Sequence, residues 1–211
     1  MKIALVAATG KIGRQIARTA LDRGHAVTAV VRRDGALPEE LAGARAVVAA
    51  LDDPPALAAA VRGHDVLASA FGPDGPDVAA LARTAAALVD AARAAGIRRL
   101  IVVGGAGSLE VAPGVQLVDT PGFPDAYRPA ALAHREALAV YRAAPDLDWT
   151  FYAPAAEIGP GPRLGHYRSQ ARTLRVDETG HSRIAYPDYA DAFVDEIEHP
   201  RYLREIATAA Y

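Results

Sequence analysis

The sequence contains no cysteine, and its 211 residues include only two lysines, Lys2 and Lys11. The absence of cysteine excludes disulfides, thiolate metal sites, thiol redox chemistry and a cysteine nucleophile. The other 21 basic side chains are all arginine, so every mechanism that needs a lysine beyond position 11 is excluded as well. Long apolar runs are also missing, since none reaches the roughly 18 residues of a membrane span.

Neither acidic nor basic residues are in large excess. A formal net charge of −2 argues against a dedicated nucleic-acid binder, which usually carries a basic face. The apolar run at residues 1–6 is too short for a signal peptide, and the histidines show no metal-ligand spacing. We therefore expect a soluble cytoplasmic protein, monomer or homodimer, that binds no metal, no membrane and no nucleic acid directly. Its partner would be a small molecule, and its length suggests one domain, residues 1–211.

Short apolar runs alternate with alanine-rich helical stretches along the first 150 residues, and the chain holds 49 alanines. Because the predicted strands are apolar on both faces, the alternation indicates βαβ units and a parallel sheet covered on each side. The predicted fold class is α/β, with three layers and a mainly parallel, doubly wound sheet. The predicted strands are 3–7, 26–31, 46–50, 66–70, 100–103, 149–153 and 204–209, and the predicted helices are 12–22, 55–61, 77–95, 129–143 and 187–198.

Two segments depart from this alternation, residues 104–128 and 155–186. The first is rich in glycine and proline and contains no clear helix, and loops of that length are often functional. The second begins with a glycine and proline loop at 159–165. Within it, residues 173–176 and 182–186 flank a turn at 177–180, which predicts a hairpin. We expect the two segments to form a small loop and hairpin cap.

The strongest motif is the turn at residues 7–13, which follows the first strand and opens the first helix. At Gly10 the backbone can approach a pyrophosphate without a Cβ in the way, and the helix N-terminus offers free N–H groups and a partial positive charge. Gly13 allows close packing of the helix on the strand. The usual pattern would have glycine where Ala7 stands. The motif predicts a dinucleotide site, with a plain structural turn as the alternative.

The end of the second strand distinguishes NAD from NADP. An acidic side chain there would bind the ribose 2′-hydroxyl of NAD, but the strand ends with Arg32 and Arg33. Two guanidinium groups suit a 2′-phosphate through bidentate, charge-assisted hydrogen bonds. We therefore expect NADP(H) to be preferred. NAD(H) stays open, because Asp34 follows and could reach the ribose.

Residues 8–13 and 30–32 resemble the atypical short-chain dehydrogenases, which include NmrA-like and biliverdin-reductase-B-like proteins. Later blocks are most similar to the family provisionally named NADH-flavin reductases, and they keep its order over nearly the whole chain. The most distinctive blocks are 103–109 and 149–160. The other matching blocks are 63–66, 69–73, 182–184 and 188–190.

This resemblance implies a Rossmann fold in which NAD(P)H lies across the carboxyl ends of the strands. By matching position, the turn after the first strand would hold the pyrophosphate, and the arginines after the second would hold the adenosine phosphate. The ends of the third and fourth strands would contact adenine and ribose, and those of the fifth and sixth would contact the nicotinamide ribose and carboxamide. The implied cofactor residues are Ala8, Thr9, Gly10, Lys11, Ile12, Arg32, Arg33, Asp52, Ala70, Phe71, Gly72, Val103, Gly104, Pro154 and Ala155.

The absence of a Tyr-x-x-x-Lys pair limits the reactions that the protein could catalyse. Classical short-chain dehydrogenases use Tyr-x-x-x-Lys to move a proton, but four residues after Tyr127 stands Ala131. Reduction of a flavin, quinone or similar planar acceptor needs mainly orientation and exclusion of water, since the cofactor carries the chemistry. The sequence thus favours an NAD(P)H-dependent reductase with flavin as a candidate acceptor. The alternative is a non-catalytic, NADP(H)-sensing regulator of the NmrA-like type.

Two side chains are the candidate catalytic groups. Ser108 would bond an acceptor carbonyl or N5, or else closes a turn in a glycine-rich loop. Tyr127 would stack on the acceptor or donate its hydroxyl, or else packs on the following helix. We expect the acceptor pocket between residues 105–128 and 155–161. His134 is a weaker candidate proton donor, since a lone helical histidine is more often surface or core.

Overall fold

The computed structural model of the protein describes residues 1–72 and 77–211. Pro73, the last residue of the 69–73 block, therefore lies outside the described residues. Eight strands of the described chain form one sheet in the order β10-β12-β8-β5-β4-β1-β2-β3. Their bounds are β1 Lys2–Val6, β2 Ala26–Val31, β3 Arg45–Val48, β4 Val66–Ser69, β5 Arg99–Val103, β8 Asp148–Pro154, β10 Arg168–Ala171 and β12 Glu205–Ala210.

Neighbouring strands in this sheet run parallel, except that β10 is antiparallel to β12. From β1 the chain builds outward through β2 and β3, then returns to the other side of β1 and continues from β4. The sheet therefore has its topological switch point between β1 and β4, and ligands of such sheets bind outside the carboxyl ends of the strands at that point. The predicted doubly wound, mainly parallel Rossmann sheet is confirmed.

The helices cover both faces of the sheet. α1 packs with α5 on one face, and α3 packs between α2 and α4 on the other. Strand β1 shows the alternation directly, because Ile3 and Leu5 join the core cluster under the first pair while Ala4 and Val6 join the cluster under the other three. The helices are α1 Lys11–Asp22, α2 Pro54–Val61, α3 Ala80–Ala95, α4 Arg128–Arg142 and α5 Tyr186–Glu198.

The two segments expected to form a cap contain two small two-stranded sheets and short 3₁₀ turns. The expectation is wrong for β10, which lies within residues 155–186 but pairs with β12 as an edge strand of the central sheet. β6 (Glu110–Ala112) pairs antiparallel with β7 (Val115–Gln116), and β9 (Glu157–Gly159) pairs parallel with β11 (Arg183–Ala185). The predicted hairpin of residues 173–176 and 182–186 is therefore wrong. Its turn exists, since the Asp177 carboxylate accepts hydrogen bonds from the N–H groups of Thr179 and His181, but the second flank pairs with residues 157–159 instead.

Helix α5 is fixed to the amino ends of the central strands by a buried ion pair. Arg99 in β5 lies 3.1 Å from the Glu196 carboxylate in α5 and donates a 2.7 Å hydrogen bond to Thr150 in β8. Glu196 also accepts the N–H groups of Arg201 and Tyr202. These hydrogen bonds offset part of the cost of burying the ion pair, although Arg99 Nε has no hydrogen-bond partner among the described residues. The cluster ties α5 to β5 and β8.

Candidate active site

The turn after β1 is built around a residue in an unusual conformation. Ala7 has a φ of 57°, in the left-handed region that favours glycine. The turn expected of a glycine at this position is therefore made by alanine, at a cost of about 1–2 kcal/mol. Gly13 lies directly against it, since a Cβ on Gly13 would stand 2.2 Å from the carbonyl oxygen of Ala7.

Gly10 is under no comparable demand from the fold. Its φ of −73° and ψ of 170° suit any residue, and a Cβ there would make only an ordinary contact of 3.5 Å with the Ala7 carbonyl oxygen. It is exposed and precedes α1, whose start has no side-chain cap within the described chain. An open backbone beside free helix N–H groups fits a phosphate, and this cradle is the feature that a dinucleotide pyrophosphate would use.

Arg14 is part of this turn, although the sequence analysis did not single it out. Its Nε donates a 2.9 Å hydrogen bond to the carbonyl oxygen of Thr9, and its Nη1 lies 3.4 Å from Glu40. Arg14 therefore braces the loop and adds positive charge beside the helix N-terminus. The sequence does show a basic residue one turn into the first helix. Arginine is so common in the helices of this chain that its position alone does not mark a functional residue.

The arginines after β2 lie on the surface. Arg32 and Arg33 are both exposed, and neither forms an ion pair with a carboxylate in the described ranges. Asp34 accepts a 2.9 Å hydrogen bond from the N–H of Gly35, a local turn contact. Asp52 is also exposed, in the turn after β3. These charged groups thus stand at the carboxyl ends of β2 and β3, on the side where the adenosine half of a dinucleotide is expected.

The segment after β4 lies at the switch point. The N–H of Ala70 donates to the carbonyl oxygen of Val6, at 3.0 Å, which brings it beside the end of β1. Phe71 is half-buried and packs on the core, and its N–H donates to Ser69 Oγ. Gly72 is exposed, with open space where a Cβ would be. The backbone here is free to face a ligand, whereas the Phe71 ring is directed into the protein.

The glycines after β5 are explained by packing. A Cβ on Gly104 would lie 2.2 Å from the Phe151 ring, and one on Gly105 would lie 2.7 Å from the His134 ring. Val103 and Gly104 are both buried, and the Gly104 N–H donates to the Tyr152 carbonyl oxygen at 2.9 Å. Any contact of these two residues with a nicotinamide ribose would therefore be made by the loop's outer backbone atoms.

His134 is packed into the protein rather than exposed on α4. Its ring meets Phe151 edge-on, with centroids 6.1 Å apart, and its Nδ1 has no hydrogen-bond partner in the described structure. Burial lowers the pKa of His134 to about 4, because the charged imidazolium loses its hydration. The residue is therefore neutral at pH 7, and it forms part of the packing beneath the loop that follows β5.

Ser108 and Tyr127, the two candidate catalytic residues, are not brought together. Ser108 is only 2% exposed, and its Oγ has no hydrogen-bond partner among the described residues. It borders a small cleft with Gln116, Arg142 and Trp149, behind α4. Tyr127 is 69% exposed and lines a different and larger cleft. Of these two residues, Tyr127 is the one that lines the larger cleft.

The larger cleft, which we call the acceptor cleft, has a volume of about 890 Å³. It begins directly after β8, where Pro154 and Ala155 are buried and Ala156 emerges to line the wall. Ser182 holds this emerging segment, because its Oγ accepts the Ala156 N–H and its carbonyl oxygen accepts the Glu157 N–H. The remaining wall is formed by Tyr127, residues 157–162, Leu164, His166, Arg183, Ile184, Ala185 and Tyr211.

The cleft corresponds in part to the pocket expected from the sequence. Tyr127 and residues 156–161 line it, as expected, but residues 105–126, Arg128 and Ala155 do not. Leu164, His166 and the C-terminal Tyr211 were not foreseen. They come from segments far apart in sequence, and no local pattern marks them as wall residues. The buried Asp188 behind them lies in the 188–190 block, and no local pattern marks it as part of a cleft wall.

Two further properties hold for the described chain. In residues 1–72 and 77–211, no helix is both long and apolar enough to cross a lipid bilayer. Within the same ranges, no group of three or more His, Asp or Glu side chains could hold a metal ion. The expectation that the protein works without a metal stays a prediction.

Comparison with known proteins identifies the family. Residues 7–200 match the family described as NAD(P)H-binding. The chain is 36% identical over 208 residues to YwnB of Bacillus subtilis (strain 168), an uncharacterised protein, and the match covers 97% of this chain and 96% of YwnB.

Two solved structures are similar over the full length. One, from Burkholderia pseudomallei and provisionally named an exported protein, is 55% identical with a TM-score of 0.94, and the match covers 100% of both chains. Another, from Streptococcus pneumoniae TIGR4 and provisionally named an NADH-flavin reductase, is 32% identical with a TM-score of 0.90, and the match covers 100% of this chain and 99% of that one. The resemblance to atypical short-chain dehydrogenases is thereby confirmed, and the chain belongs to the NAD(P)H-binding family with the Rossmann fold.

Proposed function

We propose that the protein is an NAD(P)H-dependent reductase that transfers a hydride from the nicotinamide to a planar acceptor such as a flavin or quinone. The observation that carries this proposal is the acceptor cleft, which opens where Ala156 leaves the carboxyl end of β8. That edge of the sheet is where the cofactor of this fold lies. A hydride donor and an acceptor in the cleft would thus meet at one place.

The residues present fit the cofactor. The turn of Ala8, Thr9, Gly10, Lys11 and Ile12 offers the pyrophosphate an open backbone and a helix N-terminus. Arg32 and Arg33 are exposed and free of carboxylate partners within the described ranges, which supports a 2′-phosphate contact and hence a preference for NADP(H). Asp52, Ala70, Phe71, Gly72, Val103, Gly104, Pro154 and Ala155 would border the remainder through exposed surface or backbone.

The nicotinamide supplies the hydride when bound, so the chain has to bind, orient and exclude water. Tyr127 is exposed on the rim of the acceptor cleft, and we assign it the role of contacting the acceptor. Ser108 would act only through the loop it closes, because its hydroxyl is buried. His134 is neutral and enclosed. The absence of a Tyr-x-x-x-Lys pair is compatible with a reaction whose proton comes from solvent.

The test is steady-state oxidation of NADPH and NADH by the purified protein with FMN, riboflavin and a small quinone panel. We expect turnover well above the uncatalysed rate, with NADPH preferred, and loss of that turnover in Gly10→Val through the added side chain at the cradle. Cofactor binding without turnover on any acceptor would instead favour the NADP(H)-sensing regulator. We also propose a cytoplasmic location, which cell fractionation would test.

A further inference from the structure

Asp188 is a fully buried carboxylate in the first turn of α5. Its oxygens accept the Leu164 N–H at 2.9 Å, the Gly165 N–H at 2.8 Å and the Tyr211 hydroxyl at 2.7 Å. A buried charge is costly unless its lone pairs are occupied. The fold therefore holds all three donors against this one side chain.

Two of these donors, Leu164 and Tyr211, belong to the wall of the acceptor cleft. Ala185 also lines the cleft, and its N–H donates to the Tyr211 hydroxyl at 3.0 Å. Asp188 itself is not exposed to the cleft. It thus joins three wall segments that are distant in sequence, although it cannot touch a bound acceptor.

The contacts also determine what Tyr211 offers to a ligand. Its hydroxyl is engaged by Asp188 and by Ala185, so the ring is the part that remains for an acceptor. The Tyr211 and His166 rings lie 5.8 Å apart between centroids. Both residues line the acceptor cleft and also a second cleft of about 570 Å³. They therefore form an aromatic partition between the two clefts.

We propose that Tyr211 is a specificity-determining residue of the acceptor cleft and that Asp188 is its positioning residue. The buried carboxylate holds the Tyr211 ring so that a planar acceptor packs against it, since aromatic rings prefer offset or edge contacts with other π-systems. This inference rests on the proposed function, because it assigns the acceptor to this cleft.

The same face of α5 provides a matched control. Asp195 stands two turns after Asp188 and accepts hydrogen bonds from Arg23 and from the Tyr167 hydroxyl. Neither it nor these partners line the acceptor cleft. Asp195→Asn therefore removes a carboxylate and its hydrogen bonds from the same helix face while leaving the cleft wall in place.

The experiment measures KM and kcat for FMN and for 1,4-naphthoquinone, together with the NADPH dissociation constant, in four variants. In Asp188→Asn and Tyr211→Ala we expect the acceptor KM to rise by about tenfold or more. A tenfold rise corresponds to a loss of roughly 1.4 kcal/mol, which is the size expected for one or two lost contacts. Tyr211→Phe keeps the ring and should change less than Tyr211→Ala. The NADPH dissociation constant and kcat should stay within about twofold of the wild type, as should every parameter of Asp195→Asn.

If the role of Asp188 is purely structural, Asp188→Asn should lower NADPH affinity and thermal stability along with acceptor affinity. A rise in acceptor KM with an unchanged NADPH dissociation constant would instead indicate positioning. Hydrogen exchange at the Leu164 and Gly165 amides should accelerate in Asp188→Asn. An unchanged acceptor KM in Tyr211→Ala would overturn the specificity role, and an unchanged KM in Asp188→Asn would overturn the positioning role. If Asp188→Asn does not fold, Tyr211→Phe and Tyr211→Ala still test the specificity role of Tyr211.

The outcome also separates this inference from the proposed function. Turnover in the wild type with no effect at Tyr211 would leave the reductase standing and refute the inference. If no acceptor is turned over, quenching of FMN fluorescence on binding replaces KM as the readout. FMN binding that Tyr211→Ala weakens would then uphold the inference and refute the reductase, while binding that is absent or independent of Tyr211 would refute both.

Discussion

The carbonyl oxygen of Ala7 occupies the place where Gly13 would carry a side chain, 2.2 Å from the position of its missing Cβ. Ala7 has a left-handed φ of 57°, and this conformation directs the turn against the first helix. At Gly10, which lies between them, neither the backbone conformation nor the packing requires a glycine. The two glycines of one motif thus differ, since the fold requires Gly13, whereas it does not require Gly10, for which we propose contact with the cofactor.

This difference can be measured with a single methyl group at each position. In Gly13→Ala we expect the free energy of unfolding to fall by roughly 1–3 kcal/mol from overpacking against backbone. In Gly10→Ala it should fall by less than about 1 kcal/mol, while the NADPH dissociation constant rises at least tenfold. Urea unfolding and fluorescence titration provide the two readouts. Equal stability losses with unchanged NADPH binding in Gly10→Ala would place the pyrophosphate elsewhere.

Ala7→Gly should stabilise the protein. Glycine removes a left-handed penalty of about 1–2 kcal/mol and adds an entropic cost of about 0.5–1 kcal/mol, so we expect a net gain of up to about 1.5 kcal/mol. Ala8→Gly is the control, because Ala8 is buried and carries no positive φ, and it should lose stability. A loss in Ala7→Gly equal to that in Ala8→Gly would show that Ala7 is not strained.

The two exposed arginines after β2 should discriminate between the cofactors. We expect Arg32→Ala combined with Arg33→Ala to raise the NADPH dissociation constant by roughly 10- to 100-fold, the loss of one or two hydrogen bonds to a charged group. The NADH dissociation constant should change less than about threefold. Arg62→Ala is the control, since the hydrogen bond that Arg62 forms in the described part of the chain is to the Ala94 carbonyl oxygen in α3. Equal effects on both cofactors would refute the 2′-phosphate role.

The partly buried His134 should make stability depend on pH. Its pKa is lowered to about 4 in the folded protein against about 6.5 when unfolded, so the unfolded chain binds the proton more tightly. Stability contributed by the neutral ring is complete above about pH 6.5 and is lost as the pH falls toward 4, by about 3 kcal/mol at most.

The measurement compares urea unfolding of the wild type and His134→Leu between pH 4 and 7.5. The difference between the two proteins isolates His134 from the carboxylates that titrate in the same range. We expect the wild type to lose more stability than the variant as the pH falls. Parallel pH profiles would mean that the imidazole is accessible to solvent.

Seven of the eight strands of the central sheet could be predicted from the sequence, because each is a local apolar run next to a helix. The edge strand β10 was missed, because its residues (RSQA) are mostly polar and it is selected only by antiparallel pairing with β12. The end of α3 is also local, because Gly96 follows it with a left-handed φ of 73°, a conformation that glycine adopts readily at helix ends. The cap could not be predicted, because the pairing of β9 with β11 joins residues 157–159 to residues 183–185 across the chain. The pattern of residues 173–186 is typical of a hairpin, and only tertiary contacts select the other partner.

In the candidate site, too, some residues could be predicted from local sequence signals and others could not. The turn of residues 7–13 and the arginines after β2 carry local signals. Ser108 was singled out by its position after β5, yet burial removes its hydroxyl from the acceptor cleft. Tyr211 and Asp188 carry no local signal, because their roles arise from a hydrogen bond between the last residue of the chain and the start of α5.

The most direct test of the account is steady-state oxidation of NADPH by the purified protein with FMN as acceptor, in the wild type and in Gly10→Val. We predict turnover well above the uncatalysed rate in the wild type, and none above that rate in a Gly10→Val variant that is folded by circular dichroism. NADPH binding without oxidation, with FMN or with any flavin or quinone of the panel, would contradict the reductase.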